Sequence, residues 1–385
     1  MNIPQMMDLD LKGKKTMIRL DLNVPIEHGQ ITSDARIKAS IPTILAAQNK
    51  GAKVIVLSHL GRPDPDNIDT QFSLQPVAKR LGELINQDID FASNWTEFIP
   101  DNGNIVLCEN TRYHKGEKSN DEAFAKCIAS LCDVYVMDAF GASHRKHAST
   151  YGAINFSNKA CAGPLLSGEI ESLKKAMSAP EKPLVAIIGG AKVSSKLGVI
   201  ESLANSCDSI IVGGGIANTF LLANGNLVGN SLIETEMIEA AKRILKLDQV
   251  YVPLPTDVVV AKEFSNEATA LTKSMDQVEE DDLILDIGPE TTNAYNELIA
   301  SARTIIWNGP VGVFEIEQFS QGTAEIAKAI AANSGYKIVG GGDTVAVIEK
   351  YGISDSISYV STGGGAFLEF VKNGTLDALE VLAQH

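Results

Sequence analysis

The chain has 385 residues, with 48 Asp and Glu against 33 Lys and Arg, for a net charge of -15. That balance excludes nucleic acid and anionic membrane as main partners, because both are polyanions. Hydrophobic residues make up 44% and charged residues 21%, which excludes disorder and supports packed cores; the length suggests two or three domains.

Short apolar runs alternate with amphipathic stretches. In the first part they predict strands over 16–20, 53–58, 105–107 and 133–137, with helices over 33–49, 75–84 and 122–131 between them. A charged stretch, GEIESLKKAM, follows Pro164 and precedes Pro180 and Pro183, and reads as a connecting helix over 165–183. Beyond it the strands fall over 184–188, 209–212, 249–251, 283–286, 304–307, 336–339 and 358–361, and helices begin near Ser195, Thr235, Thr291, Ser320 and Thr344. Strand, helix, strand at this spacing means parallel sheets. The expected fold is therefore α/β, with two Rossmann-like doubly wound parallel-sheet domains (1–164 and 184–368) joined by a hinge helix. The start, MNIPQMMDLDLKGKK, lacks the apolar core of a signal peptide, and no run of about 18 apolar residues is present. The five cysteines have no metal-type or CxxC spacing and read as reduced thiols of a cytoplasmic protein.

Ligands of open parallel sheets bind at the carboxyl ends of the strands, and the unusual residues collect there. In the first half these ends are cationic: RLDLNVP (Asp21, Asn23), SHLGRP (His59, Arg62), ENTRYH (Arg112) and MDAFGASHRKHAS (Arg145), with Arg36 in SDARI. Six of the eight arginines lie in the first 150 residues (Arg19, Arg36, Arg62, Arg80, Arg112, Arg145). Guanidinium forks bind phosphate and carboxylate in bidentate fashion, so several of them at successive strand ends point to a small polyanion. His114, His144 and His147 read as solvated or structural, and no histidine pair has metal-ligand spacing.

In the second half the strand ends are glycine-rich: GGAKVSSK (Lys192, Lys196), GGGIAN, GPET, NGPVGVFE, GGGDT and STGGGA. Lys192 and Lys196 share a face if a helix begins in that run. In GGGDT, glycines let a backbone approach phosphate oxygens, Asp343 is a hard oxygen ligand for Mg²⁺, and Thr344 offers a hydroxyl. The run by itself also fits an ordinary tight turn with an Asp cap. Neither GxxxxGK[ST] nor GxGxxG occurs, so a Walker loop is excluded and a nicotinamide dinucleotide site loses support.

Together these runs, in this order and over essentially the whole chain, resemble the phosphoglycerate kinase family. The resemblance implies reversible, Mg²⁺-dependent phosphoryl transfer between 1,3-bisphosphoglycerate and ADP, giving 3-phosphoglycerate and ATP, by in-line transfer on domain closure. It implies that Asp21, Leu22, Asn23, Arg36, His59, Leu60, Gly61, Arg62, Arg112 and Arg145 bind the glycerate in the first domain. Gly190, Lys196, Gly213, Gly214, Asn308, Pro310, Glu315, Gly341, Gly342, Asp343, Thr344 and Gly363 would bind ADP or ATP in the second. Arg36, Lys192, Gly342 and Gly364 are the expected catalytic set, and Asp343 the Mg²⁺ ligand. A tail over 369–385 returning to the first domain, a monomer, and no nucleic-acid or membrane partner complete the expectation.

Overall fold

The computed structural model describes residues 2–385, which divide into two compact units: residues 2–171 with Thr375–His385, and Ser172–Gly374. The first unit runs β1 (Lys15–Arg19), a short hairpin of β2 (Ile26–Glu27) and β3 (Gln30–Ile31), α1 (Ala35–Asn49), β4 (Lys53–Leu57), α2 (Gln75–Ile85), β5 (Ile89–Ala92), β6 (Ile105–Cys108), α3 (Gly116–Ser119), α4 (Glu122–Ser130), β7 (Val134–Met137), α5 (Ala153–Phe156), β8 (Ala160–Ala162) and α6 (Pro164–Met177). Its six-stranded sheet has the order β5-β6-β4-β1-β7-β8, all parallel. Strands of a sheet covered on both faces are apolar along their length rather than alternating; β6 and β7 are buried at every position. The order reverses at β1, with β4 on one side and β7 on the other, which puts the topological switch point at the carboxyl end of β1.

The division between the units falls inside α6. The second unit continues with β9 (Leu184–Gly189), α7 (Leu197–Ala204), β10 (Ser209–Gly213), α8 (Gly214–Ala223), α9 (Ile238–Leu245), β11 (Asp257–Ala261), β12 (Leu271–Ser274), β13 (Leu283–Ile287), α10 (Pro289–Ser301), β14 (Thr304–Asn308), α11 (Gln321–Ala332), β15 (Tyr336–Val339), α12 (Gly342–Lys350), β16 (Tyr359–Val360) and α13 (Gly364–Asn373). Five of these strands form a parallel sheet, β10-β9-β14-β15-β16, with its reversal at β9.

Three sequence expectations are corrected. The strand expected over 283–286 belongs to a separate antiparallel sheet, β12-β11-β13, and not to a parallel one. The β11–β12 connection is too short for a crossover helix, so the strands fold back on each other. The strand expected over 249–251 reduces to a single parallel bridge between Ser209 and Tyr251. The helix expected near Ser195 starts at Leu197, so Lys196 caps it and Lys192 lies outside it.

After Gly374 the chain re-enters the first unit, where α14 (Asp377–Leu382) packs against α5 and β8. The Ala378 N–H donates to Ser143 O at 3.1 Å, and Lys146 pairs with Asp377 at 3.2 Å. The sequence-based division at 369 falls inside α13; the unit division follows Gly374.

Candidate active site

In the first unit the cationic side chains gather at the switch point. Arg36, in the first turn of α1, donates to Asp21 Oδ1 at 3.2 Å and to Asn23 O at 2.9 Å. The Asn23 side chain accepts from Gly61 N–H at 2.8 Å, which ties the loop after β1 to the loop after β4. Buried Ser58 accepts from Leu22 N–H (2.8 Å) and donates to Leu20 O (2.9 Å). Buried Asn110 accepts from Leu60 N–H (3.2 Å) and Arg112 N–H (3.0 Å) and donates to Leu60 O (2.8 Å) and Phe72 O (2.9 Å). These bonds hold three strand-end loops in register.

Arg112 is buried; one Nη donates to Gly61 O, and its Nε has no hydrogen-bond partner among the described residues. Burial, and then the positive charges of Arg145 and Arg19, lower its pKa to about 10. Arg145 is half-buried, donates to His144 Nε2 at 3.3 Å, and is likewise lowered, by burial first. Arg62 is exposed. His59 is buried, and burial together with Arg19, Arg112, Arg145 and Arg36 pushes its pKa well below the usual imidazole range. Among the described residues, the Asp21–Arg36 contact is the one ion pair made by Arg36, Arg62, Arg112 or Arg145. Like charges held together disfavour their own ionisation unless an anion joins them, so the arrangement suits an anionic ligand.

In the second unit the carboxyl ends of β9, β14 and β15 meet in backbone rather than side chains. A Cβ on Gly189 would lie 1.7 Å from Pro310 O, so only glycine permits that approach of β9 to the loop after β14. Gly341 has φ +100, a conformation that side chains disfavour. Gly342, the first residue of α12, differs: a Cβ there would meet nothing within 4 Å. Gly364, at the start of α13, lies against the same loop, with a hypothetical Cβ 3.1 Å from Gly341 Cα. Gly363 N–H donates to Ser361 Oγ at 3.3 Å.

A cavity of about 530 Å³ opens beside these ends. Of the expected residues, Gly190, Gly214, Pro310, Glu315 and Asp343 line it. Gly213 does not; it is buried, with a hypothetical Cβ 2.5 Å from Val311 Cα, and packing explains its glycine. Lys196 folds inward and donates to Gly189 O and Asn308 O, and burial lowers its pKa to about 8 against the opposing pull of Asp343. Lys192 is exposed. Asn308 Nδ2 donates to Gly340 O at 2.6 Å. The Thr344 hydroxyl is not offered outward: it is buried, accepts from Gly309 N–H at 2.7 Å and donates to Gly340 O at 3.0 Å, so it fixes the loop.

A family model described as phosphoglycerate kinase matches residues 6–374. The chain belongs to the phosphoglycerate kinase family. Phosphoglycerate kinase from Coxiella burnetii is 48% identical, with a TM-score of 0.95, over 100% of this chain and 99% of that one. Phosphoglycerate kinase from Pyrococcus horikoshii OT3 is 30% identical, with a TM-score of 0.83, over 99% and 98%.

Sequence reasoning missed several residues of this phosphoglycerate kinase fold. Glu117 sits in the polar run HKGEKSN yet is fully buried, accepting from Ser149 N–H at 3.0 Å and Ser149 Oγ at 2.6 Å. Nothing in local hydropathy marks it. Arg19 was visible only as one more arginine. In the second unit Phe264, Leu232 and Leu283 wall the cavity. Phe264 is 65% and Leu232 54% exposed.

Proposed function

We infer that the chain catalyses the reaction of the family it belongs to, reversible phosphoryl transfer between 1,3-bisphosphoglycerate and ADP, giving 3-phosphoglycerate and ATP. The observation that carries the reading is the set of arginines at successive strand ends, paired with a single carboxylate in a protein of net charge -15. Asp21, Asn23, Arg36, His59, Arg62, Arg112 and Arg145 take the glycerate carboxylate and its stable phosphate, with Leu22, Leu60 and Gly61 supplying backbone. The apolar wall of Phe264, Leu232 and Leu283 suits a purine face, and Glu315 at the same cavity suits ribose hydroxyls. Lys196 and the Gly341–Gly342 loop, with Gly190, Gly214 and Gly363, face the nucleotide phosphates.

The attacking carboxylate and the departing diphosphate are both anions, so no general base is required. The work is in-line positioning and neutralisation of charge on the equatorial oxygens. Arg36 and Lys192 carry that charge, and the backbone at Gly342 and Gly364 gives close approach. Acceptor and nucleotide are held on separate units, so turnover includes a closing step that excludes water. Asp343 fits Mg²⁺: it is an exposed carboxylate in the first turn of α12, without an ion pair among the described residues. When bound there, Mg²⁺ neutralises nucleotide phosphate charge. No helix is long and apolar enough to cross a membrane among the described residues. A cytoplasmic monomer is the proposed state, and the five free cysteines are in keeping with a reducing compartment.

A coupled assay with 3-phosphoglycerate, ATP, Mg²⁺ and a reporting dehydrogenase tests the reading. Turnover that needs all three reactants is expected; its absence in a folded, ADP-binding protein overturns the assignment.

A further inference from the structure

Arg19 is 1% exposed, and its donors point into the protein. Its Nε donates to Ser149 Oγ at 2.8 Å, Nη1 donates to Leu20 O, and Nη2 lies 3.0 Å from His59 Nδ1. A guanidinium has donors and no acceptor, so Arg19 donates and His59 Nδ1 accepts. Nδ1 therefore carries a lone pair. The ring proton sits on Nε2, which makes no hydrogen bond among the described residues. Behind Arg19 the direction is fixed as well. Ser149 Oγ accepts from Arg19, so its own hydrogen goes to Glu117 Oε1 at 2.6 Å, and Glu117 is fully buried. The buried carboxylate balances the buried guanidinium through a hydroxyl.

We propose that Arg19 is a positioning residue that holds His59 in its neutral form protonated on Nε2, so that the ring presents a hydrogen, and not a lone pair, to an anionic substrate. This rests on the reading that the first unit binds 3-phosphoglycerate. The charged groups facing His59 are the guanidiniums of Arg19, Arg36, Arg112 and Arg145. A neutral donor among them adds a hydrogen bond without adding to their mutual repulsion. A lone pair in that place would repel the ligand.

The test begins with the unaltered protein. Long-range proton–nitrogen NMR of ¹⁵N-histidine-labelled protein at pH 7 should show His59 with Nδ1 bare and Nε2 protonated. The opposite tautomer, or an imidazolium, overturns the proposal. In folded Arg19→Met the form protonated on Nδ1 should become populated, and an unchanged tautomer overturns the role of Arg19. Calorimetric titration with 3-phosphoglycerate supplies the second readout. The amide of His59→Gln reaches the position of Nε2, while that of His59→Asn reaches only Nδ1. His59→Gln should bind within several-fold of the unaltered protein, and His59→Asn about tenfold or more weaker, the scale of one charge-assisted hydrogen bond. His59→Asn binding as well as His59→Gln overturns the proposal. Unchanged affinity in His59→Ala overturns the substrate-site reading itself, whereas lost affinity with the wrong tautomer overturns this proposal and leaves that reading standing.

Discussion

In the first unit, the proposed anion site is built from charged side chains anchored from behind: Arg36 braced on Asp21 and Asn23 O, Arg112 on Gly61 O, and Arg19 on Ser149 and, through it, Glu117. In the second unit the corresponding strand ends carry almost no side chain, and backbone meets backbone at Gly189, Pro310 and Gly341. The two suit different ligands. A small, compact polyanion is identified by where its charges lie, so forks at fixed points select it. A nucleotide offers a chain of similar phosphates and a flat apolar base, so close backbone approach and an apolar wall serve better.

The largest effect that can break this division is on turnover. Arg36→Ala and Lys192→Ala should each lower kcat/KM by roughly 10²- to 10³-fold, the scale of removing one preorganised charge from a transition state. Their unfolding midpoints should stay almost unchanged, because the Arg36 pair is partly exposed and such pairs contribute little. Near-normal turnover in both variants would end the comparison.

Next come two adjacent glycines that separate protein need from ligand need. Gly341→Ala should destabilise the second unit by about 1–3 kcal/mol in chemical denaturation, the usual range for backbone strain. Its φ is +100, and the new Cβ would lie 2.7 Å from Asn308 Nδ2. Gly342→Ala adds a Cβ to open space and should change stability by less than about 0.5 kcal/mol. Its ADP affinity should nevertheless fall, as titration calorimetry would report. Normal ADP binding by Gly342→Ala would mean that ligand approach does not explain that glycine.

The smallest effect is a proton count. Burial lowers the Lys196 pKa to about 8, so near pH 8 part of the free protein carries a neutral amine. A bound phosphate favours the ammonium and raises that pKa. ADP binding at pH 8 should therefore take up protons, and affinity should fall as pH rises through 8. Calorimetry in buffers of different ionisation enthalpy measures the uptake. Lys196→Arg, whose guanidinium stays charged, should abolish it. Equal uptake in that variant would assign the proton elsewhere.

Sequence pattern was informative where physics is local. Short, β-branched-rich apolar runs such as those of β6 and β7 fit strands covered on both faces, and charged or glycine-rich residues after them mark the expected binding edge. It failed where long-range contacts decide. β11 and β12 turn back on each other for want of a crossover helix, which alternation alone does not reveal. Glu117 lies among charged neighbours but is buried because Ser149, distant in sequence, meets it with two donors. Thr344 and Gly213 were legible as motif positions, but what each touches was not; one holds Gly309 and the other accommodates Val311.

The return of residues 375–385 to the first unit has a consequence for biosynthesis. A ribosome delivers the first 171 residues, then the whole second unit, and only afterwards α14. Domains tend to fold as they emerge, yet this one gains its α14 contacts only after the second unit. The missing piece bonds Ser143 and Lys146, which flank Arg145. The nascent first unit therefore lacks these two contacts on either side of Arg145 until the second unit has been made.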